Sequence, residues 1–416
     1  MGFIQKSFIS KFDSLKIPKN EWIYYSFFFG FAIENVSFGL IPVQSFSLAL
    51  VMSPIICLYH FKQINFHDRT LQLLIFLLSY GIVLYLFNYY DHGNYLPLLR
   101  QSISFTGGIL IYLACQVLLL RITLVNATNF IIRTSFPVLV LGIIQRILDY
   151  KTINNSRITV FFTEPSHYGD YLVLILLPFF IFRSRQDIRK TKKLSRFSLI
   201  YLSLLIMNLI LVQSGTALLK ILSLTVLSFF VLRGHLKLKA AVLVSIFLIF
   251  LIAYLLPGSY IRYLIDFSFA SLGNPEKFLS NHTFYDRFYP LYGVISLLVK
   301  KINIWGFGLG ADFFEWKEIY LPQHFEAHSS MKPHGSYLNS MFSKFLLYFG
   351  LLGGAFLLYT LRAAFRFKDL FLRLFFFNVV VTGLWGISSF ALIYVWFWFG
   401  MFHLHVNLER NANGKN

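Results

Sequence analysis

Charge is what this chain has least of. Charged residues make up 13% of its 416 positions and apolar residues 57%, whereas soluble domains are about 25% charged. That scarcity excludes an ordinary water-soluble fold. The apolar runs that take its place are long enough to cross a bilayer and recur from end to end. Cysteine is also scarce: Cys57 and Cys115 are the only two. Both lie in apolar runs, so there is no disulfide framework and cysteine usage says nothing about compartment. No separate soluble domain and no internal repeat stand out. The basic opening MGFIQKSFISKFDSLKIPKN lacks an apolar core, so it is expected to be a short amphipathic helix on the cytoplasmic surface and not a cleavable signal peptide. Acids are few as well, 18 against 37 Lys and Arg, for a net charge of +19. In a soluble protein that excess would suggest nucleic acid. Here membrane topology accounts for it, and no nucleic-acid partner is expected.

The fold class that follows is an all-α polytopic membrane protein, one membrane domain over 1–416, with about twelve transmembrane helices. The expected spans are 22–40, 44–61, 70–87, 101–120, 126–148, 166–182, 197–213, 216–232, 240–257 and 336–361, then two within 370–403 that turn near Gly383 to Ser389. Lys and Arg bias sets orientation. With the amino terminus inside, the inner segments hold more than twice as many Lys and Arg as the outer ones, including seven in 183–196. The long 258–335 loop balances seven cations with seven acids. Both termini are therefore expected in the cytoplasm, with 258–335 and 157–171 on the outer face. Much of the positive charge then faces anionic lipid.

Three outer segments carry most of the chemistry. RITVFFTEPSHYGDY, 157–171, holds Arg157, Glu164, His167 and Asp170 at the mouth of a span, where an ionisable group costs up to roughly 2.5–3.5 kcal/mol at the helix centre. HTFYDRFYPLYGVISLLVKK, 282–301, repeats Phe284, Phe288, Leu291, Ile295 and Leu298 at helical spacing and reads as an amphipathic helix in the outer interface, with Arg287 near its start. KPHGSYLNSMFSKFLLYFGLLGG, 332–354, sets His334 ahead of a span, with Tyr337, Asn339 and Lys344 further in. Arg grips phosphate bidentately and stays charged, so two arginines at one surface suit a lipid pyrophosphate. His takes a proton near neutral pH; Glu164 and Asp170 can do the same or orient a sugar hydroxyl. Each residue also has a plainer reading: Arg157 as an interfacial anchor, Arg287 as a surface charge paired with Asp286, His334 as a loop histidine, Glu34 as a packing contact inside the bundle.

Other patterns carry little. GFGLG, 306–310, follows no strand and is expected on the wrong side for cytoplasmic nucleotide, so it reads as a tight turn. His324, His328 and His334 have no cysteine and the wrong spacing for a zinc site. No metal is expected.

Taken in order, the motifs form a pattern: Arg157 and then FFTEPSHYGDYL at a span mouth, a QSGT turn between two spans, a basic loop, a long outer loop with an Arg-bearing amphipathic helix, the GFGLG turn, and PHGSYLNSMFSKFLLYFGLLG. Over roughly residues 150–360 this resembles the bacterial O-antigen polymerase (Wzy) and O-antigen ligase (WaaL) superfamily. The resemblance implies an inner-membrane glycosyltransferase acting at the periplasmic face, with no cofactor, no nucleotide sugar and no obligatory metal. Its donor would be an oligosaccharide on undecaprenyl pyrophosphate. Its acceptor would be a hydroxyl of another lipid-linked repeat in a polymerase, or a lipid A core sugar in a ligase. Partners would be that lipid-linked oligosaccharide, membrane lipid and a chain-length-determining membrane protein. Arg157 and Arg287 would hold the pyrophosphate and stabilise its departing charge. His334 would assist the acceptor hydroxyl, with Glu164 competing for that role. Ser166, His167, Asp170, Tyr337 and Asn339 would contact substrate.

The chain departs from the pattern at two points. The family often has Arg in the turn where Gly215 stands, and Lys220, one turn later, is a candidate replacement. It often has an acid where Lys344 stands, which makes Lys344 a phosphate ligand or a sign of a different acceptor. Glu164-Pro165-Ser166 favours polymerase over ligase. A lipid-linked oligosaccharide flippase or an ion-coupled transporter would instead spread polar residues through the bundle's depth; Glu34, Arg133, Arg146 and Lys220 are the residues that would serve one.

Overall fold

Backbone surrounded by hydrocarbon must satisfy its own N–H and C=O groups, which limits apolar runs of helical period to helices. A computed structural model of the chain describes residues 21–33, 47–122, 124–149, 159–162, 165–231, 260–274, 280–320, 340–365, 373–380 and 394–401, with isolated positions between 244 and 277 and at 338. Among them 83% are helical and none is in a strand, so the all-helical class holds. In chain order the helices are α1 Glu21–Gly30, α2 Leu48–Tyr59, α3 Arg69–Tyr89, α4 Leu96–Arg121, α5 Leu124–Asp149, α6 Pro165–Tyr171, α7 Leu177–Thr191, α8 Arg196–Leu211, α9 Gly215–Val231, α10 Tyr260–Ala270, α11 His282–Lys300, α12 Asp312–Ile319 and α13 Met341–Ala364. Residues 373–380 and 394–401 are also helical.

Among the described residues, four stretches are long and apolar enough to cross a membrane: Arg69–His92, Leu96–Leu118, Leu124–Leu148 and Met341–Arg362. This fits a helical membrane protein. Other expected spans take the form of shorter apolar helices, such as Leu48–Tyr59 and Arg196–Leu211. Glu34, most of the 240–257 span and the 383–389 turn lie outside the described residues.

Side-chain contacts fix how the helices run. Ser135 on α5 hydrogen-bonds Tyr201 on α8 at 2.6 Å, and the Leu139 carbonyl accepts from Asn208, so α5 and α8 run parallel. Thr70 meets Tyr359, while a Cβ on Gly81 would meet the Phe349 ring; α3 and α13 are therefore antiparallel. The starts of α4, α6 and α13 and the 212–214 turn consequently share one end of the bundle. The segments 62–69 and 183–196 share the other.

Residues 394–401 join two halves. On one side Tyr394 lies 6.2 Å from the Tyr171 ring, and the Trp398 indole donates to the Leu174 carbonyl at 2.8 Å. On the other, Trp396 meets Phe105 edge-on and Phe399 meets Phe356. The indole bond has a local cause. Leu172–Leu176 forms a π-helical turn between α6 and α7, and a π turn disturbs the regular hydrogen-bond ladder.

Three expectations shift. First, α7 continues to Thr191 through the basic run expected to be loop, held by an Arg183–Asp187 pair at 3.5 Å and ended by left-handed Lys192. Second, α11 does form, but its buried face is Tyr285, Gly293, Val294 and Leu297, while Ile295 from the expected stripe is exposed. Its apolar residues cover most of the circumference, so spacing alone does not select the buried side. Gly293 does, because a Cβ there would collide with the Ile319 carbonyl of α12. Third, the helix expected over 336–361 starts at Met341 and is broken at Gly350, whose φ is 56° and ψ −134°.

The break at Gly350 is where the GFGLG turn docks. The Phe307 and Gly308 amides donate to the Leu347 and Tyr348 carbonyls at 2.8 and 3.0 Å, Leu309 donates to Gly81 on α3 at 3.0 Å, and Leu351 donates to Ile304 at 2.9 Å. Gly81 lies about two turns from the end of α3, or about 12 Å at 1.5 Å per residue. The non-helical backbone thus reaches into the bundle, where its neighbours satisfy it. Gly308 has φ +95°, and a Cβ there would overlap the Tyr85 backbone; Gly93, at φ +63°, has open space around it. Gly308→Ala is therefore expected to abolish folded, monodisperse protein on size exclusion, whereas Gly93→Ala costs only the left-handed penalty of about 1–2 kcal/mol and retains the wild-type elution profile.

Candidate functional site

Three consecutive residues in the second half of α6 each fix a different neighbour. The Tyr168 hydroxyl donates to Asn208 Oδ1 on α8 at 2.8 Å. Asn208 is fully buried, and its Nδ2 donates to the Leu139 and Leu204 carbonyls at 2.9 and 2.8 Å. Gly169 faces the 212–214 turn so closely that an added Cβ would lie 2.8 Å from the Ala217 Cβ and 2.9 Å from the Ser214 Cβ. Asp170 forms an ion pair with Lys220 Nζ of α9, and both side chains are only 2% exposed. Each charge neutralises the other in a place where either alone would be costly.

The same turn receives a third element. Gln213, left-handed at φ 45°, accepts from the Tyr260 amide at the start of α10 at 3.2 Å, and Leu264 covers Gly215. The expected site stretch, the QSGT turn and the first helix after residue 258 thus meet at one end of the bundle. Ser166 and His167 sit half-buried in the first turn of α6, one turn from the Asp170–Lys220 pair. They can offer a hydroxyl and an imidazole to a ligand at that end.

The other candidates fall elsewhere. Lys344 is buried, at 1% exposed, in the first turn of α13 in the second half of the bundle. Arg287 belongs to α11, which packs on α13, but its side chain lies outside the described residues. Arg157, Glu164, His334, Tyr337 and Asn339 also lie outside them. Of the residues that would serve a transporter, Arg133 is exposed and donates to Tyr25 at 3.3 Å, so it does not face the interior. No group of three or more His, Cys, Asp or Glu among the described residues is arranged to hold a metal.

Sequence reasoning missed a second polar cluster, in the other half. Glu315 of α12 accepts from Tyr89 at 2.7 Å and pairs with Lys301 at 2.6 Å, and Glu318 pairs with Lys300 and Lys301 at 3.2 and 3.3 Å. The Tyr348 hydroxyl of α13 donates to buried Asp312 at 2.5 Å. Burial would lower the Lys301 ammonium, but Glu315 and Glu318 raise it above its ordinary value. Hydrogen bonding from Lys300 holds the Glu318 carboxyl below its ordinary range. Both groups stay charged at neutral pH, so the cluster clamps α12 to the end of α11. Asn208 and Gln213 were missed as well. Asn208 leaves a signal, a single amide within the apolar run LSLLIMNLIL, since a polar side chain inside a span usually bonds a neighbouring helix.

No protein-family model matches the chain, and no curated protein matches its sequence.

The buried pair makes a direct prediction. Asp170→Leu or Lys220→Met alone leaves one charged group without its partner and is expected to cost roughly 3–5 kcal/mol, seen as a lower melting temperature of the solubilised protein. The double variant Asp170→Leu/Lys220→Met is expected to recover most of that loss. Additive losses would contradict the pairing.

Proposed function

We propose that this chain is an O-antigen polymerase of a bacterial inner membrane. It transfers a glycan from undecaprenyl pyrophosphate to a hydroxyl of a second lipid-linked repeat unit. In this reading it has about twelve spans, both termini in the cytoplasm, and residues 258–335 in the periplasm. What supports it most is the packing of the PSHYGD stretch against the QSG turn, which also receives the start of α10. These elements are remote in sequence, and the motif order of the polymerase and ligase superfamily would bring them to one face.

The reaction balances as a single displacement. The acceptor hydroxyl oxygen attacks the anomeric carbon opposite the phosphate, forming the new glycosidic C–O bond with inversion. The bond from that carbon to the pyrophosphate oxygen breaks, and its electron pair leaves with undecaprenyl pyrophosphate. His334 takes the hydroxyl proton, with Glu164 the competitor for that role. Arg157 and Arg287 grip the pyrophosphate as its charge grows. Ser166, His167, Tyr337 and Asn339 contact the sugars, and Lys344 contacts phosphate or acceptor. The Asp170–Lys220 pair positions the start of α6. Pairing with Asp170 is a better fit for Lys220 than the role of a third phosphate ligand.

The ligase reading differs only in acceptor, and the same experiment separates the two. In a strain dependent on this chain, Arg157→Ala, Arg287→Ala and His334→Ala should each leave single repeat units and no long-chain ladder at wild-type expression. Arg287→Lys should fail too, since a point charge lacks the bidentate grip. Normal ladders in all four would contradict the mechanism. Long chains that accumulate on the lipid carrier and do not reach the lipid A core in the variants would favour the ligase.

A further inference from the structure

The stretch just ahead of α6 is held in an unusual way. Thr159 and Val160 both donate their backbone N–H groups to one atom, Gln145 Oε1 on α5, at 3.2 and 2.8 Å. Val160 is left-handed, at φ 54°. That conformation is rare for a β-branched residue and persists only where the surroundings enforce it. Two residues on, Phe162 is buried and its ring lies 5.3 Å from that of Tyr168 and 5.5 Å from that of Tyr171. Residues 159–162 therefore form a strap. One end hangs from the Gln145 amide, and the other is stacked on the helix that carries Ser166, His167 and Asp170.

The local geometry follows from these contacts. Gln145 lies one turn beyond Gly142, and a Cβ on Gly142 would overlap Asn208 and approach the Tyr168 hydroxyl. One turn of α5 thus touches both the strap and the Tyr168–Asn208 bond. A side-chain carbonyl can accept two hydrogen bonds, and here both come from consecutive amides that no helix or sheet satisfies. The Phe162 amide also donates to the Thr159 carbonyl at 2.9 Å, closing a turn across the left-handed valine, so the strap is held by its own turn and by Gln145 together.

We propose that Gln145 is a positioning residue for the active site: through the strap it sets how the first turn of α6 is presented. This rests on the polymerase reading for what is presented, but not for the strap itself. The test uses the full chain in nanodiscs, with Gln145→Met, which keeps the length but loses the acceptor, and Gln145→Glu, which keeps it. Loss of both hydrogen bonds predicts that Gln145→Met raises amide exchange over 159–162 by about tenfold or more, with α4 and α8 unchanged. Gln145→Glu should stay near wild type. In cells, Gln145→Met should shorten or remove the glycan ladder and Gln145→Glu should restore it. Unchanged exchange in Gln145→Met overturns the strap, as does equal loosening in both variants; the second outcome is readable even if the methionine variant folds poorly. Raised exchange with a wild-type ladder overturns the positioning role. A chain whose wild-type form makes no ladder, with exchange behaving as stated, would sink the polymerase reading and leave the strap standing.

Discussion

A carboxylate and an ammonium buried side by side, Asp170 against Lys220, constrain this half of the molecule more than any apolar contact does. Hydrophobic packing among helices is forgiving in rotation, and lipid tails compete with it. A buried charge pair is not forgiving, because separating the partners exposes each to a medium that solvates neither. The residues just before Asp170 add two more constraints of different kinds: a hydrogen bond from Tyr168, and a close approach that only Gly169 permits. Together they fix α6 against α8, the 212–214 turn and α9. Ser166 and His167 lie half-buried in the first turn of that fixed helix.

The other half solves a related problem with backbone. A loop that enters the bundle must find partners for its amides. Residues 307–309 find them in the Leu347 and Tyr348 carbonyls beside the Gly350 break and in Gly81. The glycines at 308 and 350 make this possible by admitting backbone where a Cβ would collide. Helix 394–401 then ties the halves through aromatic rings and through one indole bond to a carbonyl in the π turn. Both halves begin their key helices, α6 and α13, at the same end of the bundle.

Much of this was legible in the sequence because hydropathy and helical period report directly on membrane helices. The all-helical class and the QSG turn between α8 and α9 followed from these alone. Other features depend on what lies opposite, and one strand of sequence does not contain that. The buried face of α11 is chosen by Gly293 meeting α12, since its apolar residues fit either rotation. GFGLG reads as a tight turn on any surface; that it fills a broken helix depends on Gly350 and Gly81, distant in the chain. Asp170 and Lys220 were both candidates, but spacing gave no reason to pair them. Gln145 lies inside the expected 126–148 span with no motif around it, and its role appears only when Thr159 and Val160 are seen to share its oxygen.

The most direct measurement is turnover by the purified chain in nanodiscs supplied only with a repeat unit on undecaprenyl pyrophosphate, with EDTA present. The account predicts glycan lengthening matched, bond for bond, by release of undecaprenyl pyrophosphate. Intact starting material after prolonged incubation, with the protein folded and the lipid bound, would contradict it.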